Sequence, residues 1–228
     1  MVAGNARLTR RENQRVTRER LVEAARQIIV NDGLASASVR SISEAAGYSQ
    51  GAFYSNFESK EHLLVEVLEH HMAGVAERLE HMADAVERAA ISDRRAIPSA
   101  VTELFQSLNP KLNWSRLAVE LWLHAGRSEK MAELYTKMRV SFLERAGAAF
   151  RRVFDHIGVE PSIPPEEFAM GLVSTAVGYA IQFGGPMEVD ARFKFMSEVF
   201  RGVIATARGV EGEFASPTNL DLDPAAAG

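Results

Sequence analysis

The chain contains no cysteine, which excludes disulfide staples, thiolate nucleophiles and Cys-ligated zinc or iron-sulfur sites by composition alone. Stability must therefore come from an apolar core, and 228 residues are enough for one sizeable body with a small appended domain. No secretory leader is expected either. The opening MVAGNARLTRREN has no apolar run of the signal-peptide kind, so a cytoplasmic protein is expected. Long membrane-spanning runs are absent too. The stretch from Phe168 to Met187 carries no charged side chain, but Gly171, Ser174, Thr175, Gly178, Gln182, Gly184, Gly185 and Pro186 dilute it. Pro164-Pro165-Glu166-Glu167 just before it reads as the start of a soluble helix, so no membrane partner is expected. No HExxH, phosphate-binding glycine loop or GxSxG elbow occurs, so no catalytic residue, metal or cofactor is expected. His62, Glu66 and His70 share a helix face and could hold a divalent cation, yet a solvated face explains them more simply.

What is present begins with an uneven charge. The net charge is -4, but residues 1–60 hold nine Lys and Arg against six Asp and Glu, a balance of +3, and the remainder holds 17 against 24, a balance of -7. The positive end is the candidate for touching a polyanion. Arg7, Arg10, Arg11, Arg15, Arg18 and Arg20 supply most of it, and residues 1–14 read as a disordered basic arm. At the other end, residues 209–228 have no Lys or Arg and are rich in Ala, Gly, Pro and acid, as in a disordered tail.

All strong periodicity is helical, which gives an all-α fold of about nine helices. A first helix, about Arg15 to Asn31, stripes Leu21, Ala24, Ala25, Ile28 and Ile29, and stops at Asp32-Gly33. A short second helix starts after Ser38 as N-cap, buries Val39, Ile42, Ala45 and Ala46, and ends at Gly47. Ser41 is neither Glu nor Gln, so no capping box is expected there. A third runs from near Ser49 to Phe57 with Phe53 and Phe57 on its inner face, and a long fourth follows Ser59 to about Ala90. Further helices are expected at about Ile97 to Leu108, Ser115 to Gly126, Glu129 to Ile157, Pro165 to Phe183 and Asp190 to Arg208.

Two short helices meeting at Gly47-Tyr48-Ser49 behind a longer amphipathic one make a helix-turn-helix pattern. The stretch Thr17 to Leu68, above all VRSISEAAGYSQGAFYSNFESKEHLL at Val39 to Leu64, resembles the DNA-binding domain of the tetracycline-repressor-like (TetR) family. The resemblance implies a homodimeric regulator with one head per subunit, usually a repressor released by a small ligand. It also implies that Gln50, Gly51, Ala52, Tyr54 and Ser55 lie on the groove face of the recognition helix. Their chemistry agrees: Gln50 can hydrogen-bond an adenine edge, Ala52 can meet a thymine methyl, and Gly51 lets backbone approach closely. Ser38, Ser49, Tyr54, Asn56 and Lys60 suit phosphate contacts, and Arg40 suits either role.

In the body, Phe105, Trp114, Leu117, Leu121, Met138 and Phe142, with Glu120, His124 and Tyr135 as polar groups, are candidates for the lining of a ligand pocket. The resemblance places the helix bearing Gly171, Ser174, Thr175 and Gly178, and the last helix bearing Phe193, Met196, Phe200 and Val203, in a four-helix dimer interface. The expected organisation is an arm at 1–14, a three-helix DNA-binding head at 15–60, a six-helix dimerisation and ligand-binding body at 61–208, and a tail at 209–228. Its partners would be operator DNA, a second copy of the chain and a small, largely apolar effector. A helical small-molecule carrier or interaction protein, with a head that no longer binds DNA, is the alternative.

Overall fold

The computed structural model describes residues 9–88 and 114–183, with Glu198, Val199, Gly202 and Val203. The regular structure of these residues is helical, with no strand among them. Helix α1 (Arg10–Asp32) begins more than a turn before the expected Arg15. The cause is local. Thr9 Oγ1 accepts the Glu12 N–H at 3.2 Å while the Glu12 carboxylate accepts the Thr9 N–H at 2.6 Å, a reciprocal cap that draws residues 10–14 out of the arm and into the helix. Gly33 ends α1 as expected, and a 3-10 turn at Leu34–Ser36 leads to α2 (Val39–Ala46).

The cap of α2 corrects the reading from composition. Ser38 Oγ accepts the Ser41 N–H at 3.0 Å, and Ser41 Oγ accepts the Ser38 N–H at 3.0 Å, so a serine hydroxyl closes the box that was thought to need Glu or Gln. The inner face differs by one position as well: Ile42 and Ser43 are buried, Val39 and Ala46 partly so, and Ala45 is exposed. Gly47, at φ 75°, takes the left-handed conformation that lets its own N–H and that of Tyr48 turn back to the last carbonyls of α2. Helix α3 (Gln50–Tyr54) follows, capped by Ser49 Oγ on the Ala52 N–H at 3.2 Å. It is shorter than expected. A turn at Ser55 and Asn56 then carries Phe57 inward, with its N–H on the Phe53 carbonyl at 2.8 Å. Ser59 Oγ accepts the His62 N–H at 3.0 Å and starts the long α4 (Lys60–Arg88).

The body continues with α5 (Trp114–Ala125), α6 (Glu129–His156) and α7 (Pro165–Phe183), each within a residue or so of its expected bounds. The helix expected at about Ile97 to Leu108 lies outside the described residues. So does most of the one expected at Asp190 to Arg208, whose four described residues are helical. Arginines of α6 lace it to α4: Arg145 reaches Glu80 at 2.8 and 2.9 Å, and Arg152 reaches both Asp84 and Glu87.

Two apolar clusters hold the chain together. The distal one joins Leu79, Met82 and Val86 of α4 to Phe142, Phe150 and Phe154 of α6 and to Phe168 and Leu172 of α7. The proximal one joins the head residues Leu21, Ile29, Ile42, Phe53 and Phe57 to Leu63, Leu64, Val67 and Leu68 of α4, and also to Leu117, Leu121, Met131 and Met138 of the body. Head and body thus share a core. The first turns of α4 supply the floor of the head.

Candidate nucleic-acid interface

Helix α3 is too short to stand without tertiary contacts. Phe53, 0 % exposed, and Phe57, 1 % exposed, hold it from beneath, with their rings 5.6 Å apart. With Phe53 inside, helical geometry turns the neighbouring positions outward. Gln50, Gly51, Tyr54 and Ser55 are exposed, Tyr54 by 59 %, and Ala52 is half-buried. A tyrosine ring standing that far out is an uncommon expense for a small head. Ser38, Arg40 and Ser49 are exposed beside this face, and Lys60 is half-buried at the start of α4.

Asn56 stands apart from the rest of the set. Its amide donates to the Ala52 carbonyl at 2.8 Å, and its Oδ1 is shielded from solvent with no partner among the described residues, so the side chain finishes α3 instead of facing outward. The serine hydroxyls have local duties too: Ser38 and Ser49 cap their helices, and Ser55 Oγ donates to the Gly51 carbonyl at 2.9 Å. Arg40 lies against Glu44 at 2.8 Å on the open surface.

Arg18 is not part of a solvated arm. Its guanidinium sits 4.1 Å over the centre of the Phe57 ring, donates to the Asn56 carbonyl at 2.5 Å, pairs with Glu66 and comes within 3.5 Å of His62 Nε2. It ties α1 to the end of the recognition element and to α4. Sequence reasoning missed this because the partners are far away in the chain. The same contact answers for the His62, Glu66 and His70 face: Glu66 is held by Arg18, while burial and then the Arg18 charge push the His62 pKa below its ordinary value. No three His, Asp or Glu groups among the described residues come together to hold a metal ion. Arg15 pairs with Glu19 at 2.6 Å, leaving Arg10, Arg11 and Arg20 exposed along α1 without an ion pair among the described residues.

The candidate pocket residues separate. Leu117, Leu121 and Met138 are buried in the core shared with the head, and Phe142 lies in the distal core. Trp114, Glu120, His124 and Tyr135 are half-buried, and Phe105 is outside the described residues. Burial raises the Tyr135 pKa. On α7, Phe168, Ala169 and Leu172 face inward, while Met170, Gly171 and Ser174 are exposed. Thr175 turns its hydroxyl to the Gly171 carbonyl at 2.9 Å. A Cβ added at Gly171 or Gly178 would meet nothing within 4 Å among the described residues. Val203 packs partly buried against the distal core; Phe193, Met196 and Phe200 are outside the described residues.

A three-helix head with a glycine-turned pair of short helices, set on a helical body through a shared core, defines a helix-turn-helix protein with an appended helical body. Residues 21–67 match the family model for bacterial regulatory proteins of the tetR family. The chain is 22% identical over 181 residues to the HTH-type transcriptional repressor KstR2 of Rhodococcus jostii (strain RHA1), covering 79% of this chain and 74% of the relative. Its fold is shared by solved structures. A transcriptional regulator from Rhodococcus sp. Rha1 superposes with a TM-score of 0.57 at 24% identity over 85% of this chain and 98% of the other. E. coli NemR in its reduced form superposes with a TM-score of 0.60 at 21% identity over 83% and 98%. The head at residues 21–67 thus matches the tetR family of bacterial regulatory proteins, and the chain as a whole is similar to a transcriptional repressor. No helix among the described residues is long and apolar enough to cross a membrane.

Proposed function

We propose that this protein is a homodimeric repressor that holds its operator through the outer face of α3 and lets go when a small, largely apolar ligand enters the body. The observation that carries the reading is the orientation of α3, with Phe53 and Phe57 buried and Gln50, Gly51, Tyr54 and Ser55 left facing outward. Gln50 and Ala52 would read base edges in the major groove; Ser38, Arg40, Ser49, Tyr54 and Lys60 would meet phosphates. Asn56 would hold the end of α3 in shape. Arg10, Arg11 and Arg20 supply free positive charge on α1, so backbone contacts would contribute much of the affinity. The protein would work in the cytoplasm, on DNA.

The route from body to head runs through the shared core. Leu117 and Leu121 of α5 and Leu63 to Leu68 of α4 pack against the head, and Lys130 at the start of α6 pairs with Glu58 just after α3. A ligand that moves α4 against α5 would therefore change how the head is held. The population would shift to dimers whose heads no longer match major grooves one helical turn, about 34–36 Å, apart.

A gel shift with DNA from the protein's own genomic neighbourhood tests the reading. A specific retarded band is expected, with affinity falling by about two orders of magnitude between about 50 and about 200 mM salt if about four phosphates are neutralised. Failure to retard any neighbouring fragment, or affinity that is flat with salt, would refute it. The dimer has its own test. Gly178→Arg is expected to give a monomer by light scattering, because a long charged side chain would stand on the proposed interface at a position where a Cβ meets nothing within 4 Å among the described residues. A variant that stays dimeric would rule out this face as the interface.

A further inference from the structure

Midway along α4, where α5 packs on it, a small polar cluster borders the proximal core through Trp114, which is partly buried against that core. The His71 ring lies flat on the Trp114 indole, with centroids 4.0 Å apart and planes 13° from parallel. Arg78 stands two turns further along, on the same face of the helix as His71. Its side chain folds back toward the start of α4, so that Nη1 comes within 3.6 Å of where a Cβ on Gly74 would be. The guanidinium therefore lies in the gap left by that glycine, between Arg78 and His71. Its Nε is shielded from solvent and has no hydrogen-bond partner among the described residues.

Among the described residues, no carboxylate pairs with Arg78, whereas other part-buried arginines are matched: Arg18 by Glu66, Arg145 by Glu80, Arg152 by Asp84 and Glu87. His71 supplies no countercharge. Burial and then the Arg78 charge push its pKa down to about 3, so it is neutral near pH 7. An arginine drawn out of water with an unmet donor costs stability, and it becomes favourable when an anion completes it. Its planar fork fits a carboxylate in particular.

We infer that Arg78 is the anchor for a carboxylate on the effector, with the His71–Trp114 stack flanking the effector's apolar part. The inference rests on the reading of the body as a ligand sensor and names the chemical class of its ligand: an apolar acid rather than a neutral or cationic compound. The location suits a switch. Helix α4 runs from Arg78 to the floor of the head, and α5 runs from Trp114 to Leu117 and Leu121 in the shared core, so an anion bridging them acts on both supports at once.

The chain has two tryptophans, and Trp122 is 60 % exposed, so Trp122→Phe leaves Trp114 as the sole indole reporter. The full-length Trp122→Phe protein is titrated with benzoate and decanoate, and with benzamide and decanamide, following Trp114 emission and melting temperature. At least one acid is expected to saturate and to bind at least about tenfold more tightly than its amide, the scale of one charge-assisted contact. Adding Arg78→Met should abolish the preference and leave the melting temperature equal or about 2 to 4 °C higher, because an unmatched charge has gone. Adding Arg78→Lys should retain part of the preference. The inference is overturned if neither acid titrates, if acid and amide bind alike, or if Arg78→Met melts well below its parent, which would make Arg78 a structural residue. Operator binding by the Trp122→Phe parent without any probe is scored separately, and its loss would count against the DNA reading alone.

Discussion

Phe57→Ala is expected to destabilise the protein by about 3 to 5 kcal/mol, the usual cost of emptying a buried phenylalanine site, and to abolish operator binding with it. The ring is 1 % exposed and lies at the junction of three contacts. It supports Phe53 beneath the recognition helix, stands edge-on to His62 with centroids 5.7 Å apart, and forms the surface on which the Arg18 guanidinium rests. Removing it leaves more than a cavity. Arg18 keeps Glu66 and the Asn56 carbonyl but loses the ring that fixed its position, so the staple between α1 and α4 loosens. By contrast, the Arg40–Glu44 pair, at 77 % and 65 % exposure, contributes little to stability. Urea unfolding followed by circular dichroism measures the effect, and a melting midpoint lowered by roughly 10 °C is the corresponding thermal result. A loss under about 1 kcal/mol would mean that the site relaxes and that Phe57 is not what seats α3.

The parts of this architecture that were legible in the sequence are those set by short-range pattern. The stripe Leu21, Ala24, Ala25 and Ile29, the stop at Gly33, the reversal at Gly47 and the pair Phe53 and Phe57 all follow from spacing, and the structure buries or turns them accordingly. Boundaries failed where a side chain did something uncommon. Thr9 and Glu12 extended α1 into what composition marked as an arm, and Ser41 took a role usually given to a longer acid or amide. Composition also overstated the charge available to DNA, because Arg18 is turned inward and Arg15 and Arg40 face their own glutamates. Neither the core shared by head and body nor the Arg78 cluster could be read from a single helix. His71, Gly74 and Arg78 fall on one face by simple counting, but the partner that gives them meaning is Trp114, on another helix. An aromatic or methionine-rich stripe likewise does not distinguish core from pocket: Leu117, Leu121 and Met138, candidates for a lining, lie in the cluster shared with the head.

The second large effect is expected at the outer face of α3. Gln50→Ala with Tyr54→Ala should weaken operator binding at least about thirtyfold, because Gln50 gives up a base contact that discriminates by about 1 to 3 kcal/mol, Tyr54 gives up a phosphate contact, and the proposed dimer would lose each twice. Folding should change little, since both residues are exposed and outside the core clusters and the loss is confined to the edge-on contact of Tyr54 with Phe53, centroids 5.4 Å apart. Lys60→Ala makes the informative partner experiment. Lys60 begins α4, beside the Ser59 cap, where the first amides of the helix also favour an anion. If it meets a phosphate, its loss should weaken binding to operator and random DNA alike and reduce the salt slope by about one for each head. Gln50→Ala alone should instead fall harder on the operator than on random DNA, whereas Tyr54→Ala alone, like Lys60→Ala, should weaken both. Fluorescence anisotropy with both duplexes across a salt series separates the two patterns. Wild-type operator affinity in the Gln50→Ala, Tyr54→Ala protein would show that the exposed side of α3 does not read DNA. The tyrosine that stands 59 % exposed on it would then have to answer to some other surface.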